Sequence, residues 1–378
     1  MDRRSVRRRT MRATVIVSMT AGLLASASAL ALHGVTVPIS LDSSGAATGN
    51  AESLYSDMTP DGRFVAFVSA ASNLVAGDTN GVGDVFVRDR RTGVTERVSL
   101  GIRGAVGNGD SNFLGIGTDP SISDDGRYVA FKSEASNLVR GDRNNVTDVF
   151  VRDRVAGTTE RVSVDNAGNE APGGGDDPGI SPDGRYVAFI TTDFDTNFAS
   201  DIYMRDRIAG TTVRISVDFD GGETQNNSDG PVVGLRPGGP VVAFSSSANN
   251  LVADDLNDTT DVFVRDLSGA TPTTEWISVT SGEQPPILAV GQGSRSAAIS
   301  SDGRYVAFSS DAVNFTSPAQ TGPFMDIFVR DRIAGTTVLA SPDSAGGEAD
   351  GQSEGPDISP NGQYVSFSSF ANDLVGRV

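Results

Sequence analysis

The chain has 378 residues, of which 48 are acidic and 30 are Lys or Arg, and its formal net charge is −18. A surface with this charge repels nucleic-acid phosphates and anionic lipids, so we expect no nucleic-acid partner. The sequence has no Cys, which excludes disulfides, thiolate nucleophiles and Cys-ligated metals. His33 is the single His, so a Ser-His-Asp triad or a His-ligated metal site in the folded domain is not expected.

The first residues combine an Arg-rich start with an apolar stretch over 13–32 that ends in small residues. This pattern predicts a signal peptide at 1–31, and therefore a protein that is secreted or located in the cell envelope. An uncleaved membrane anchor is the alternative, because the apolar stretch is long for a signal core. If the signal is cleaved, we expect no stable membrane insertion.

A nine-residue phrase of the type SPDGRYVAF then recurs along the chain. Its copies lie at 59–67, 123–131, 181–189, 236–244, 300–308 and 359–367. Pro and Gly in the phrase favour a tight turn, and the apolar run after them is typical of a strand buried on both faces. Repetition at this spacing in strand-like segments predicts a propeller or a solenoid.

Each repeat continues with a DVFVRD-like third strand, a Gly-Thr-Thr-like turn and a TERVSV-like fourth strand. Four antiparallel strands arranged radially form the blade of a β-propeller. We therefore predict an all-β protein with a single propeller domain over 35–378. The predicted blades are 56–100, 118–164, 177–217, 230–279, 296–342, and 355–378 together with 36–41.

The two ends of the chain determine the predicted blade count. The segment 36–41 (TVPISL) resembles a fourth strand although no blade precedes it, and the last repeat supplies only its first two strands. This arrangement predicts a six-bladed propeller whose last blade is incomplete and is closed by the N-terminal strand 36–41. The missing third strand has three interpretations: the closing blade has three strands, the chain is a truncated product, or a partner inserts a strand there.

Four repeats carry Asp-x-Asn-x-x-x-Asp between the second and third strands. These candidate metal ligands are Asp78, Asn80, Asp84, Asp142, Asn144, Asp148, Asp195, Asn197, Asp201, Asp255, Asn257 and Asp261. Such a set of oxygen side chains suits Ca²⁺, which takes six to eight oxygen ligands. The alternative is structural, since Asp and Asn also bond the backbone of tight turns. The fifth repeat, with Gln320, Gly322 and Asp326, has lost the pattern and is not expected to bind metal.

Two further features are interpreted as structural. The Arg-Asp pair that ends each third strand, such as Arg88 with Asp89 and Arg152 with Asp153, recurs in every complete repeat. A single active site needs its residues once, so this recurrence favours ion pairs between blades or hydrogen bonds within turns. Trp276 replaces an Arg of the fourth strand and is interpreted as a packing residue.

The SPDGRYVAF hairpin, the DVFVRD strand and the Gly-Thr-Thr turn together resemble the repeats of TolB-type, WD-like propellers of bacterial envelope and secreted proteins. The resemblance covers residues 36–378. It implies a six-bladed ring with a protein-binding or scaffolding role. The chain lacks the separate N-terminal domain of TolB, and no partner-binding motif is transferred residue by residue.

Three functions are compatible with the sequence. The first is a monomeric, non-catalytic scaffold that binds a protein or an extracellular polymer, with no certain cofactor and with Ca²⁺ as a candidate stabiliser of its loops. The second is a carboxylate-based hydrolase or lyase at the channel mouth, with Asp119, Asp177 and Asp229 as candidate acids from different blades. The third is a truncated paralogue without function.

Overall fold

The computed structural model describes residues 37–111, 120–194, 199–289, 291–316 and 319–375, together with the backbone of 13–18. Several residues named above lie outside the described ranges: His33, Asp119, Asp195, Asn197 and most of the predicted signal peptide. In the part of the chain that is described, no helix has the length and apolar character needed to cross a membrane.

Six antiparallel sheets account for the described strands, and five of them have four strands. Blade 1 consists of β2 (Ser53–Met58), β3 (Phe64–Ser69), β4 (Asp84–Asp89) and β5 (Val94–Arg97). Blade 2 consists of β6 (Ser121–Ile122), β7 (Tyr128–Ser133), β8 (Asp148–Asp153) and β9 (Thr158–Arg161). Blade 3 consists of β10 (Asp176–Ile180), β11 (Tyr186–Thr191), β12 (Asp201–Asp206) and β13 (Thr211–Arg214).

The remaining sheets follow the same order along the chain. Blade 4 consists of β14 (Ser228–Arg236), β15 (Gly239–Ser246), β16 (Asp261–Asp266) and β17 (Thr273–Trp276). Blade 5 consists of β18 (Ser294–Ile299), β19 (Tyr305–Ser310), β20 (Asp326–Asp331) and β21 (Thr336–Leu339). Blade 6 contains β22 (Ser353–Ile358), β23 (Tyr364–Ser369) and β1 (Ala13–Ser18).

In blades 1 to 5 the second and third strands are mostly apolar and buried, as expected of strands whose two faces are both covered by neighbouring sheets. Their central Phe residues stack in pairs, as in Phe67 with Phe86 and Phe131 with Phe150, with ring centroids 5.8 and 5.9 Å apart. One core cluster contains Val85 and Val87 of blade 1 together with Phe131 and other residues of blade 2. Burial of apolar surface between successive sheets therefore holds the blades together.

The Pro-Asp-Gly turns also bind neighbouring blades to each other. Gly126 has a φ of +70°, and a Cβ placed on it would lie 2.3 Å from a ring carbon of Phe64 in the preceding blade. Gly184 repeats the arrangement against Tyr128, with 2.1 Å to the ring. Glycine at this position therefore meets two requirements, a left-handed backbone conformation and close contact with an aromatic ring.

The sheets surround a common axis, because residues from all six line one central cavity. Its wall includes one residue from each first strand: Asp57, Ile122, Ile180, Val233, Ile299 and Ile358. The predicted β-propeller with six blades and an incomplete last blade is confirmed.

Closure of the last blade differs from the prediction in one respect. The strand paired with β23 is β1 (Ala13–Ser18), which takes the third-strand position and comes from the predicted signal peptide. The described part of 36–41 is not a strand, because it makes no ladder with blade 6. Ile39 nevertheless packs against Ala71 and Leu74 of blade 1. Val98, which holds the corresponding position in the fourth-strand phrase of blade 1, packs against blade 2 in the same way. This segment therefore occupies the end of the fourth-strand position without regular pairing.

Candidate functional site

The last Asp of each Asp/Asn loop anchors the start of the third strand. The Oδ1 of Asp84 accepts a 2.5 Å hydrogen bond from the Ser99 hydroxyl, and the same hydroxyl accepts a bond from the Val85 N–H. Equivalent Ser–Asp bonds of 2.6 to 2.7 Å occur in blades 2 to 5. This part of the motif therefore has the structural role that the sequence offered as an alternative to metal binding.

The first Asp of the loop faces an Arg that comes from the fourth strand. In blade 1, Arg97 lies 3.4 Å from the Oδ1 of Asp78 and 3.2 Å from the Oδ2 of Asp84. In blade 2, Arg161 lies among three acids, 3.7 Å from Asp142, 3.1 Å from Asp148 and 2.7 Å from Glu170.

The acids of blade 2 have the spacing of a metal site, with ligand atoms within 4.8 Å of one another. The guanidinium of Arg161 already supplies positive charge at this cluster. In blade 3, Arg214 pairs with Asp201 in the same way. In these three blades an Arg side chain therefore occupies the position in which the sequence predicts a cation, and metal binding there stays a prediction.

Blades 4 and 5 lack this Arg and differ from each other in the loop. In blade 5, Leu339 replaces the Arg, and Gln320 replaces the first Asp and donates a 2.7 Å hydrogen bond to Asp326. In blade 4, Trp276 replaces the Arg while Asp255 is retained. Burial and the charge of Asp261 raise the pKa of Asp255 to about 7. The fourth loop therefore keeps both acids, Asp255 and Asp261, but lacks the Arg that faces the acids in blades 1 and 2.

The recurring Arg-Asp motif at the end of the third strand is structural. Asp153 accepts hydrogen bonds from the N–H groups of its own turn, and it pairs at 2.7 Å with Arg127, which immediately precedes β7. The Arg127 guanidinium lowers the pKa of Asp153 to about 2. Ion pairs between blades include Arg332 of blade 5 with Glu275 of blade 4 at 2.8 Å, and the same Arg lies 3.3 Å from the motif residue Asp266 of blade 4. The motif Asp therefore makes turn bonds and an ion pair within its blade, and at Asp266 it also pairs with the next blade.

The central channel is narrow on the side of the Pro-Asp-Gly turns. The Ser301 hydroxyl of blade 5 donates a 3.4 Å hydrogen bond to Asp124 of blade 2, which is the opposite blade of the ring. Above this contact the cavity has a volume of about 250 Å³. It contains Asp57, whose pKa is raised to about 7 by desolvation and by the charge of Asp357.

The channel widens on the opposite side, where the long loops lie. The cavity there has a volume of about 860 Å³, and its wall includes Asp177, Asp229 and Arg295. Desolvation by the surrounding protein and the charge of Asp177 raise the pKa of Asp229, while Arg295 opposes the rise. The two predicted acids from different blades, Asp177 and Asp229, are therefore brought together in what we call the loop-face cavity.

A β-bulge in the first strand positions these acids, and the sequence analysis did not predict it. The register shifts in β2, β10, β14, β18 and β22. The bulge residue has a positive φ, for example 48° at Asp177 and 60° at Gly230. A bulge redirects the adjacent side chains, here toward the channel. A signal was present in the sequence, because Gly230 and Gly355 each precede a Pro.

Comparison with known proteins supports the fold. The β-propeller domain of the Trilobed protease from Pyrococcus furiosus matches with a TM-score of 0.51 and 12% identity, over 86% of this chain and 79% of that one. A TolB-type protein from Agrobacterium tumefaciens matches with a TM-score of 0.46 and 16% identity, over 84% and 90%. TolB from Acinetobacter baumannii matches with a TM-score of 0.42 and 14% identity, over 87% and 57%.

No family model and no curated protein matches the chain. The fold places the chain in the class of β-propeller proteins with structural similarity to TolB-like propellers at low identity. At this level of identity the similarity concerns architecture.

Proposed function

We propose that the protein is a non-catalytic binding scaffold that holds a positively charged segment of a protein or extracellular polymer in its loop-face cavity. It acts as a monomer outside the cytoplasm, either secreted or in the cell envelope. The Arg-rich and apolar start of the sequence supports this location, and the overall charge of −18 supports a basic partner.

The observation that carries the proposal is the contrast between recurring and non-recurring residues. Recurring charged residues such as Asp153 and Arg127 are bound within the framework. The equivalent positions immediately before the bulge differ from blade to blade instead. They are occupied by Leu54, Asp176, Asp229, Arg295 and Glu354. A repeated framework that varies at one mouth of its channel is typical of a binding surface on a rigid scaffold.

The charge of the cavity favours a cationic ligand. Asp177 and Asp229 approach each other closely enough to raise the pKa of Asp229. An amino or guanidinium group placed between them would relieve the repulsion of the two carboxylates and form charge-assisted hydrogen bonds. Asp176 is already paired with Lys132, the only Lys of the sequence, so the charge of this third acid is compensated within the protein.

A labelled oligolysine peptide and an oligoglutamate peptide of equal length test the proposal by fluorescence anisotropy. We expect oligolysine to bind more tightly, and the Asp177→Asn/Asp229→Asn double variant to weaken its binding by about tenfold or more, which corresponds to about 1.4 kcal/mol. Asp124→Asn on the opposite mouth is the matched control and should leave binding unchanged. Equal weakening by the control, or equal affinity for both peptides, would contradict the proposed site.

A second candidate function is a carboxylate-based hydrolase or lyase at the same mouth. The apposition of Asp177 and Asp229 favours it, because two neighbouring carboxyls, of which Asp229 has a raised pKa, can divide the roles of acid and base. Turnover of neutral or uronate-containing oligosaccharides that is lost in Asp229→Asn would support this candidate over the scaffold. Unchanged oligosaccharides after prolonged incubation would favour the scaffold.

A further inference from the structure

The Asp/Asn loops balance their buried charge in different ways, and the fourth loop is the exception. In blades 1 and 2 an Arg faces both acids of the loop, as Arg97 does at Asp78 and Asp84, and in blade 3 Arg214 pairs with the last acid, Asp201. Blade 5 removes the Arg and also removes the first acid, since Gln320 takes that position. In the sequence of these four blades, a loop therefore has two acids where the Arg is present and one acid where the Arg is absent. Blade 4 breaks this relation.

Asp255 is buried in the fourth loop with one carboxylate oxygen unpartnered. The residue is 1% exposed, and its Oδ2 makes no hydrogen bond. Its other oxygen accepts only a long, 3.5 Å bond from the Asn257 N–H. A buried carboxylate oxygen without a partner is costly, because it has lost its hydration and gained nothing in exchange. The Oδ1 of Asp78 lies 3.4 Å from the Arg97 guanidinium. The Oδ1 of Asp142 also makes no hydrogen bond, but it lies 3.7 Å from the Arg161 guanidinium, whereas no ion pair reaches Asp255 among the described residues.

The side chains around Asp255 provide further oxygen atoms. Asp261 is fully buried, with its Oδ1 bonded to Ser278 and its Oδ2 to the amide of Asn257. The Thr259 hydroxyl lies 2.9 Å from the Oδ1 of Asn257 and 3.5 Å from the Oδ2 of Asp261. Carboxylate, amide and hydroxyl oxygens are hard ligands that suit Ca²⁺ more than a softer metal.

We propose that the loop of blade 4 binds one Ca²⁺ ion through Asp255 and Asp261, at the position that an Arg occupies in the first three blades. Asn257 and Thr259 lie beside the two carboxylates, and main-chain carbonyls or water complete the coordination. Arg97, Arg161 and Arg214 exclude the ion from the equivalent loops. This site shares no residue with the loop-face cavity, so it is independent of the proposed binding function.

Trp276 provides a specific reporter, since it is the only Trp of the sequence. Its indole N–H donates a 3.0 Å hydrogen bond to the Ser278 hydroxyl, which in turn donates to Asp261. A Ca²⁺ ion bound to Asp261 would therefore be linked to the Trp276 indole through one hydroxyl group. Trp276 can therefore report Ca²⁺ through its fluorescence and can sensitise the luminescence of bound Tb³⁺.

The experiment titrates the full chain, stripped with a chelator, with Ca²⁺, Mg²⁺ and Tb³⁺. We expect one Ca²⁺ per chain by calorimetry, a change in Trp276 fluorescence, sensitised Tb³⁺ luminescence that Ca²⁺ displaces, and a rise in melting temperature with Ca²⁺. Mg²⁺ should compete weakly, because it retains its hydration shell.

Three variants locate the ion. Asp255→Asn should fold, since it removes an unpartnered buried charge, and should abolish the fluorescence and melting responses to Ca²⁺. Trp276→Arg restores the arrangement of the first three blades and should raise the melting temperature in chelator while abolishing the Ca²⁺-dependent rise. Asp142→Asn in blade 2 is the matched control and should keep the wild-type response to Ca²⁺.

The proposal is overturned if the wild-type chain shows neither calorimetric binding nor a melting shift with Ca²⁺. It is also overturned if Asp255→Asn responds like wild type, or if Asp142→Asn loses the response. Binding of three or four ions per chain would contradict the exclusion by Arg and would instead support metal sites in all the Asp/Asn loops.

Discussion

Replacing Arg161 by Leu should destabilise the protein strongly, because it removes the cation from a buried acidic cluster. The side chain of Arg161 is 9% exposed, and those of Asp142 and Asp148 are 3% and 0% exposed. Breaking a buried ion pair by removing one partner costs about 3–5 kcal/mol, mostly because the remaining charge stays desolvated. Glu170 is 21% exposed and adds less, since water screens it.

The assay for Arg161→Leu is urea denaturation at pH 7, from which the free energy of unfolding is extrapolated. The control Arg91→Leu removes an exposed Arg and should change that free energy by no more than about 0.5 kcal/mol. The double variant Asp142→Gln/Arg161→Leu copies Gln320 and Leu339 of blade 5, and we expect it to recover most of the loss.

The pH dependence of Arg161→Leu provides a second measurement. Burial raises the pKa of Asp142 in the folded state and the Arg161 guanidinium opposes the rise, so without the guanidinium this pKa should rise further above its unfolded value. The destabilisation should therefore be smallest below pH 4 and grow as the pH rises toward 8. A stability equal to that of Arg91→Leu, or no recovery in the double variant, would refute the role assigned to Arg161.

Three further predictions concern the framework. Phe131→Ala should reduce the free energy of unfolding by about 3–5 kcal/mol in urea denaturation, because it opens a cavity between two sheets. Gly184→Ala should lower the melting temperature more than Gly168→Ala. Both residues have a positive φ, of 72° and 82°, but only a Cβ at Gly184 would collide with Tyr128. The raised pKa of Asp57, about 7, means that its contribution to stability is greatest below the unfolded value near 4 and is lost as the pH rises through 7. Asp57→Asn should therefore reduce the slope of the unfolding free energy against pH between pH 5 and 8. An unchanged slope would contradict the raised pKa of Asp57.

The repeat period predicted the blades because each copy repeats the same turn and the same buried strands. The Gly of the turn and the paired Phe residues, such as Phe131 and Phe150, are local features that a sequence displays directly. The order of strands within a blade followed from the short connections between them. Closure was harder to predict, since the apolar segment that forms β1 has the pattern of a signal peptide or a membrane anchor and not that of a blade strand.

The candidate sites could be predicted only in part. Asp177 and Asp229 were named as acids, but their proximity depends on a bulge and on the curvature of the ring, neither of which has a strong signature. The role of the Arg could have been found, because Arg97 follows Asp84 at the same separation of 13 residues as Arg161 follows Asp148. A constant separation of this kind is typical of two side chains that meet across neighbouring strands.

The hydrogen bond between Ser301 and Asp124 has a consequence for what the ring can accept. Since opposite blades touch there, the passage is a funnel closed at its base. A long polymer could not be threaded through such a funnel from one side to the other. Only a free end or the tip of a loop could be inserted, so selectivity would act on short protruding segments and not on extended stretches of a long chain.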